Sequence, residues 1–132
     1  MDAGPLIGLL DGDDQWHAWS RQALGVLDEP LGTTETAVAE AFHRLRKLRP
    51  ALQELVALIS EGRVRLIPVL AEHTLRIGEL LAKYPHMDAG DATLVVLSEL
   101  CPHARLITLD DDFRHYRRSR NQTVPLVMPE RG

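Results

Sequence analysis

The sequence has a single cysteine, no long apolar run and no secretion signal. Cys101 is the only cysteine among 132 residues, which excludes a disulfide framework and a zinc site built from several cysteines. Uninterrupted apolar stretches, such as the one at 94–97, are far shorter than a membrane span. No basic start followed by an apolar core marks the chain for secretion. The sequence therefore predicts a soluble, cytoplasmic protein that has no membrane partner.

The sequence also has no large excess of positive or negative charge, and it lacks several common cofactor-binding motifs. Lys and Arg number 15 against 19 Asp and Glu, and a net charge of −4 is too small to mark an acidic tail or a protein that coats nucleic acid. A local basic patch could still bind nucleic acid. The six histidines lack metal-ligand spacing, which argues against zinc. The glycine motifs that bind nucleotide phosphates are missing, so nucleotide-cofactor folds find no support.

The composition is that of an ordinary globular domain. Hydrophobic residues make up 45% and charged residues 26% of the sequence, both close to the usual averages. The length corresponds to one domain, which we assign to residues 1–132. Short apolar strands alternate with helices along the chain. This alternation predicts an α/β fold of three layers, with a central, mostly parallel sheet between two layers of helices.

Apolar periodicity and chain-breaking residues predict where these elements lie. Helices are expected at 6–10, 16–27, 51–60, 70–84 and 91–100, with a further helix that is capped by Thr33 or Thr34 and extends to Leu48. Strands are expected at 31–33, 64–67, 105–109 and 125–128. The helix at 91–100 is apolar on nearly every face and should lie deep in the domain. We expect Trp16 and Trp19 to anchor the core, and Cys101 to be buried or half-buried.

Four acidic residues lie at element boundaries on the side where the predicted strands end: Asp2, Glu40, Asp91 and Asp110. Ligands of parallel α/β folds bind at this edge. Two carboxylates about 4 Å apart repel by roughly 4 kcal/mol at an effective dielectric of 20, and a hard cation such as Mg²⁺ or Mn²⁺ removes that cost. A carboxylate cluster holding such an ion can activate water and neutralise a phosphodiester transition state.

Each of the four acids also has a simpler structural explanation. In chain order these explanations are a helix cap, a solvent-side ion pair with Arg44, a capping pair with Asp88 and a turn residue at the end of a strand. Any one of them taken alone is an ordinary feature of a folded domain. However, the four acids lie at the same edge of the predicted sheet, and this shared location argues against explaining each acid separately.

Four stretches resemble the signature regions of PIN-domain ribonucleases, and most closely those of toxins of VapC type. They are DAGPLI at 2–7, TTETAVAE at 33–40, MDAGDATLV at 87–95 and LITLDDDF at 106–113. The resemblance covers nearly the whole chain, in order and at the spacing of the family. It departs from the family at the start, because only Met1 precedes Asp2 where the family's first strand places several apolar residues.

The resemblance implies a metal-dependent endoribonuclease that is the toxin of a toxin–antitoxin pair. Its catalytic and metal-binding quartet would be Asp2, Glu40, Asp91 and Asp110, with Mg²⁺ or Mn²⁺ as the cofactor. Accessory acidic or polar groups would be Asp88, Thr108 and Asp112. The partners that it implies are an RNA substrate, a small antitoxin that blocks the acidic groove, and a second copy in a homodimer.

Basic residues follow two of the acidic positions. One cluster, at 44–49, comes after Glu40, and the other, at 114–120, comes after the acids at 110–112. Cations beside a metal site would hold a phosphate backbone, and we assign this role to Arg114, Arg117 and Arg118. The alternative is a solvated surface with ion pairs.

Two other functions remain open at this point. A non-catalytic RNA-binding or regulatory PIN-like domain could keep the fold and lose the metal, and the short first strand favours it slightly. A phospho-accepting receiver-like domain also clusters acids at strand ends. A receiver would need paired acids after its first strand and a late lysine, where this sequence has Pro5-Leu6 and Pro125-Leu126, so it ranks lower.

Overall fold

The computed structural model describes residues 1–130; the last two residues of the predicted domain, 131 and 132, lie outside that part of the chain. The helices are α1 (Ala3–Leu10), α2 (His17–Gly25), α3 (Glu35–Arg44), α4 (Arg49–Ser60), α5 (Thr74–Lys83) and α6 (Ala89–Leu100). The strands are β1 (Leu31–Thr33), β2 (Val64–Leu66), β3 (Leu106–Ile107), β4 (Arg117–Arg118), β5 (Gln122–Thr123) and β6 (Leu126–Val127). Two short 3₁₀ segments lie at Asp111–Arg114 and Ser119–Asn121.

The strands pair into three two-stranded ladders. β1 and β2 are parallel, with Leu31 opposite Val64, and β3 and β6 are parallel, with Leu106 opposite Leu126. β4 and β5 form a small antiparallel hairpin. The predicted α/β class and the parallel pairing are therefore confirmed.

Residues 1–2 connect the two parallel ladders. The α-ammonium of Met1 donates a hydrogen bond of 2.6 Å to the Gly32 carbonyl, and the Asp2 N–H donates one of 3.0 Å to the Ile107 carbonyl. The Thr33 hydroxyl donates to the Met1 carbonyl at 2.7 Å. Residues 1–2 thus lie where a central strand would lie, and the order across the molecule is β2, β1, residues 1–2, β3 and β6.

The core is divided between the two sides of these strands. One cluster joins α5 and α6 to the end of the chain, and the other joins α1, α3 and α4. Leu106 belongs to the first cluster and the next residue, Ile107, to the second, because successive side chains of a strand point to opposite faces. Helices therefore cover the strands on both sides.

Helix α6 is deeply buried, as its sequence predicts. Every residue from Ala92 to Ser98 is buried. Cys101 is exposed, however, so the expectation that it would be buried or half-buried is wrong. The helix ends at Leu100, and Cys101 lies in the loop beyond the buried section.

Helix α2 is shorter than expected and packs a different face. It ends at Gly25, and its buried residues are Ser20 and Leu24. Val26, an apolar residue within the helix expected at 16–27, is 73% exposed. Trp16 and Trp19 are only half-buried, so the prediction of tryptophan anchors is confirmed only in part. Trp19 packs against the core from the rim.

The strands are shorter than predicted, and the hairpin was not predicted at all. The strand expected at 105–109 is regular only at Leu106–Ile107. The hairpin turns through Arg120 and Asn121, whose φ angles of 60° and 58° are in the left-handed region. Neither of these positions has a glycine, the usual marker of such a turn. Within residues 1–130, no helix combines the length and the apolar character needed to cross a membrane.

Candidate active site

Asp2 is fixed by the extended start of the chain and by the first residues of α1. Its Oδ1 accepts the Ala3 N–H at 2.8 Å, and its Oδ2 accepts the Thr108 hydroxyl at 2.7 Å. Burial raises the pKa of this carboxyl, although both hydrogen bonds oppose the rise. The charge of Asp110 raises it further. Folding therefore holds Asp2 at a place where its negative charge is costly.

Asp91 lies in the first turn of the buried helix α6. The Asp88 carboxylate caps this helix by accepting the Asp91 N–H at 2.8 Å, and the Tyr116 hydroxyl donates to Asp91 Oδ2 at 3.1 Å. Burial raises the pKa of Asp91 to about 7, and the charges of Asp88, Asp2 and Asp110 add to this effect. At neutral pH, in the absence of a cation, Asp91 is consequently only partly ionised.

Asp110 follows β3 and begins the 3₁₀ segment Asp111–Arg114. Its Oδ1 accepts the Asp112 N–H at 2.9 Å, and its own N–H donates to the Thr108 hydroxyl oxygen at 3.0 Å. Thr108 is fully buried and donates its proton to Asp2. This threonine therefore ties together the first and the last acid of the predicted quartet.

Glu40 occupies a more open position on α3. Its side chain is 53% exposed, and it forms an ion pair of 3.6 Å with Arg44. Partial burial raises the pKa of Glu40, with further contributions from the charges of Asp2 and Asp88. Glu40 therefore forms the ion pair with Arg44 that the simpler explanation requires, and it also lies near the other acids.

The simpler explanations of the acids hold alongside the functional one. Asp2, Asp88 and Asp110 each accept a main-chain N–H from a residue one to three positions further along the chain, as capping and turn residues do. For Asp110 the capping bond occupies Oδ1, and for Asp91 the tyrosine bond occupies Oδ2. The second oxygen of each of these two carboxylates takes part in none of these bonds.

The charges of these carboxylates raise one another's pKa, although the carboxylates are not gathered around a single position. Within residues 1–130, no group of three or more His, Cys, Asp or Glu side chains is close enough together to hold a metal ion. Mg²⁺ usually binds one or two carboxylates and keeps several waters, so it does not require a complete protein cage. The oxygen donors at this edge fit such a hard cation, and nothing about them suits zinc or copper.

Tyr116, which the sequence did not single out, and a hydrogen bond that Thr34, the predicted cap of α3, shares with Thr93 also contribute to this site. Tyr116 binds Asp91 from 25 positions further along the chain, and its burial and the nearby acids raise its pKa. Thr34 caps α3 and shares a hydrogen bond of 2.8 Å with the Thr93 hydroxyl, which joins α3 to α6. Only the packing of α3, α6 and the 3₁₀ segment brings these groups together.

The three predicted RNA-binding arginines lie in different surroundings. Arg114 is exposed and forms an ion pair of 3.2 Å with Asp111, and Arg117 donates to the carbonyls of Arg114 and Tyr116. Both lie close in sequence to Tyr116, which contacts the acidic site. Arg118 instead donates to the Ser98 carbonyl at 3.0 Å, near the other end of α6. The structure therefore does not bring Arg118 to the carboxylates.

Comparison with known proteins identifies the family. The family model of the PIN domain matches residues 1–119, a range that includes all four acids of the predicted quartet. A search of curated proteins found no match to the chain. With a family match over most of its length and an α/β fold that has acids at its strand ends, the chain belongs to the PIN domain family, whose members are generally nucleases.

Proposed function

We propose that this protein is a metal-dependent endoribonuclease that hydrolyses phosphodiester bonds in RNA. The observation that carries the proposal is the position of Asp91, which lies partly buried in the first turn of α6 beside Asp88 and is near Asp2 and Asp110. Burial and these like charges raise its pKa to about 7. Buried charges in folded proteins are usually paired with an opposite charge or coordinate a metal ion. Perturbed carboxyl groups of this kind cluster at functional sites.

The residues that would hold Mg²⁺ or Mn²⁺ are Asp2, Asp91 and Asp110, with Glu40 at the open side. When bound, the ion would neutralise charge on the phosphodiester and lower the pKa of water. Thr108 orients Asp2 through its hydroxyl, and Tyr116 orients Asp91. Asp88 and Asp112 would act through water or through the main-chain groups that they contact.

The basic side chains next to the acids would hold the RNA. Arg114 is exposed and lies in the 3₁₀ segment that Asp110 begins, so it can reach a phosphate beside the scissile bond. Arg117 lies one residue beyond Tyr116 and is half-buried. Arg118 makes its contacts with the far end of α6, and we assign it to the support of the hairpin.

The test is single-turnover cleavage of a short RNA by the purified protein, with and without Mn²⁺. Asp110→Asn and Asp2→Asn keep the shape of the side chain and remove the charge that a hard cation requires, so cleavage should disappear in both. Asp13→Asn, in the exposed loop before α2, is the matched control and should cleave normally. Wild-type cleavage rates in both site variants would overturn the proposal.

The finer proposal is that the protein is the cytoplasmic toxin of a toxin–antitoxin pair and works as a homodimer. A small antitoxin would place an Arg or Lys among the carboxylates, where it would neutralise their charge as a metal does. Its inhibition should therefore weaken when Mn²⁺ is titrated into the complex. Inhibition that does not depend on the basic residues of the antitoxin would contradict this mode of blocking.

A second candidate is a non-catalytic RNA-binding or regulatory domain. It is favoured by the observation that no three acidic side chains within residues 1–130 converge on one point. Such a domain would bind RNA without cleaving it, and its unfolding temperature would not respond to millimolar Mn²⁺. Metal-dependent cleavage that is lost in Asp110→Asn would exclude it.

A further inference from the structure

The hairpin of β4 and β5 lies along α6 and leads away from the acidic site. Just before β4, the Tyr116 hydroxyl donates to Asp91 in the first turn of α6. Just after β4, the Ser119 N–H donates to the Glu99 carboxylate, near the other end of the same helix. Asp91 and Glu99 are about 12 Å apart along the helix axis, at 1.5 Å per residue. The tip of the hairpin therefore lies at the far end of α6 from the carboxylates.

The tip is a tight turn with an unusual residue in it. The Gln122 N–H donates to the Ser119 carbonyl, and the two residues between them, Arg120 and Asn121, have φ angles of 60° and 58°. Hairpin turns with two central residues at positive φ favour glycine and asparagine there. Asparagine tolerates this conformation, but it is uncommon for arginine. Uncommon backbone conformations of this kind cluster at functional sites. The geometry of the turn alone therefore does not account for Arg120.

The Arg120 side chain is exposed, and its charge has no partner. Among residues 1–130, no group forms a hydrogen bond or an ion pair with its guanidinium. Arg118 instead turns toward α6, where it donates to the Ser98 carbonyl and attaches the hairpin to the helix. The Glu99 carboxylate at the start of the turn is already paired with Arg76 at 2.8 Å. Arg120 is therefore a cation that is held on a fixed turn and left free for a ligand.

Other basic side chains lie along the path from the acidic site to the tip. Arg114 belongs to the 3₁₀ segment that Asp110 begins, and the Arg117 guanidinium donates to the Arg114 carbonyl at 2.7 Å. The Lys83 ammonium, at the end of α5, lies 5.3 Å from the ring centre of Tyr84, whose hydroxyl accepts the Arg117 N–H. A row of cations that begins beside carboxylates and continues along a surface can follow the phosphates of a nucleic-acid strand.

We propose that Arg120 binds a backbone phosphate of the RNA at a distance from the scissile bond, so that the hairpin tip is a second anchoring point for the strand. This inference rests on the proposed function. A stacked strand rises 3.4 Å per nucleotide, so about 12 Å along α6 corresponds to roughly three or four nucleotides. Arg114 and Arg117 would hold phosphates in between. Phosphate contacts carry no sequence information, so the hairpin would favour longer strands without selecting their bases.

The probe is a single-stranded RNA of twelve nucleotides, labelled for fluorescence anisotropy and titrated without metal so that it stays intact. Arg120→Asn removes the charge and suits the left-handed backbone, so the hairpin should keep its conformation. This variant should bind the RNA about tenfold more weakly. The slope of log K against log salt should become less steep by about 0.7, which corresponds to one phosphate contact of a single strand. An RNA of four nucleotides, too short to reach from the carboxylates to the tip, should lose less than about twofold.

Cleavage of the longer RNA with Mn²⁺ provides a second measurement. Arg120→Asn should raise the RNA concentration for half-maximal single-turnover cleavage about tenfold. It should leave the rate at saturation within about twofold of the wild-type rate, because a distant contact strengthens binding without touching the reacting atoms. A large loss of rate at saturating RNA would place Arg120 at the chemistry and would contradict the proposed position.

Two control variants separate a specific contact from a general effect of charge. Arg120→Lys keeps the charge and should bind the longer RNA within about twofold of the wild-type protein, with the same salt dependence. Arg21→Gln removes an exposed charge from α2 and should change neither quantity. Thermal melts should show that Arg120→Asn unfolds no earlier than the wild-type protein, since its backbone is eased. Equal losses in Arg21→Gln and Arg120→Asn, or no loss in Arg120→Asn, would overturn the proposal.

The results also distinguish this proposal from the proposed function. RNA that binds through Arg120 and is never cut, with or without Mn²⁺, would overturn the nuclease function and support the contact. Metal-dependent cleavage that is the same in Arg120→Asn at every RNA concentration would support the nuclease function and overturn the contact. A protein that neither binds nor cuts RNA would overturn both.

Discussion

Helix α6 carries one carboxylate near each end, and folding treats the two in opposite ways. Glu99, near the carboxyl end, accepts two hydrogen bonds from Arg76 at 3.0 and 2.8 Å and one from the Ser119 N–H at 2.6 Å. These partners lower its pKa although burial opposes them. Asp91, near the amino end, is surrounded by other carboxylates, and its pKa rises to about 7.

Glu99 is a carboxylate whose charge is compensated by a basic partner and which stabilises the fold. Asp91 is a carboxylate whose surroundings favour the binding of a cation. Arg76 and Glu99 join α5, α6 and the hairpin, and their charges cancel. Within residues 1–130, the interactions that set the pKa of Asp91 include one tyrosine hydroxyl and no basic side chain. A positive ion is the missing partner that its surroundings favour, which supports the proposed function.

The largest effect should come from substituting the two carboxylates and measuring cleavage. Asp91→Asn should lower the single-turnover rate roughly a thousandfold, since several kcal/mol of charge stabilisation are lost and each 1.36 kcal/mol is a factor of ten. Glu99→Gln should cleave at close to the normal rate. Circular dichroism would confirm that both variants are folded. An active Asp91→Asn combined with an inactive Asp88→Asn would mean that Asp88 is the ligand.

Metal binding should distinguish the same two variants by their stability. Mn²⁺ at 100 times its Kd should stabilise the wild-type protein by about 2.7 kcal/mol, because the ion binds the folded state. The gain should persist in Glu99→Gln and be much smaller in Asp91→Asn. Thermal melts with and without millimolar Mn²⁺ measure this effect. Identical midpoints in the wild-type protein would argue strongly against a competent site.

Without metal, the order of stability should reverse. Glu99→Gln should lower the free energy of unfolding by about 2 kcal/mol, because it weakens charge-assisted hydrogen bonds to Arg76 that are largely shielded from water. Asp91→Asn should raise it, on the order of 1 kcal/mol, since repulsion falls while solvent screens part of the effect. Urea denaturation at pH 7 measures both. A destabilised Asp91→Asn would show that its charge is compensated within the fold.

The pH dependence of stability should also differ between the two ends. The pKa of Asp91 is raised by folding, so its contribution is fully present below its unfolded value of 3.8 and is lost as the pH rises toward about 7. The pKa of Glu99 is lowered, so its contribution is present above its unfolded value of 4.5 and is lost as the pH falls. Unfolding curves measured between pH 4 and 8 without metal should show a loss of stability as the pH rises. This loss, which we assign to Asp91, should disappear in Asp91→Asn. An unchanged slope would assign it to another group.

The smallest effect is expected at the ion pair of Glu40 and Arg44. Both side chains are more than half exposed, so Arg44→Ala should change the free energy of unfolding by about 0.5 kcal/mol or less. Glu40→Gln should nevertheless reduce cleavage, because the nearby acids raise the pKa of Glu40 and place it in the site. Normal cleavage by Glu40→Gln would remove this residue from the proposed quartet.

Local patterns in the sequence were sufficient for much of the fold. The apolar surface of α6 predicted its burial, and the acids at strand and helix boundaries were predicted at one edge because parallel strands end together. The periodicity of α2 was less reliable. It predicted a helix over 16–27, yet the helix ends at Gly25, so the apolar periodicity continued past the end of the helix.

The sequence by itself determined which chemical groups are available: carboxylates at the ends of short strands, and arginines after them. Only the tertiary structure decided which acidic side chains have a partner and which partner each one has. Arg76 meets Glu99 across 23 positions, Tyr116 meets Asp91 across 25, and Thr108 meets Asp2 across 106. No local spacing encodes these contacts, because burial and long-range pairing set the pKa of each acid after the helices have packed.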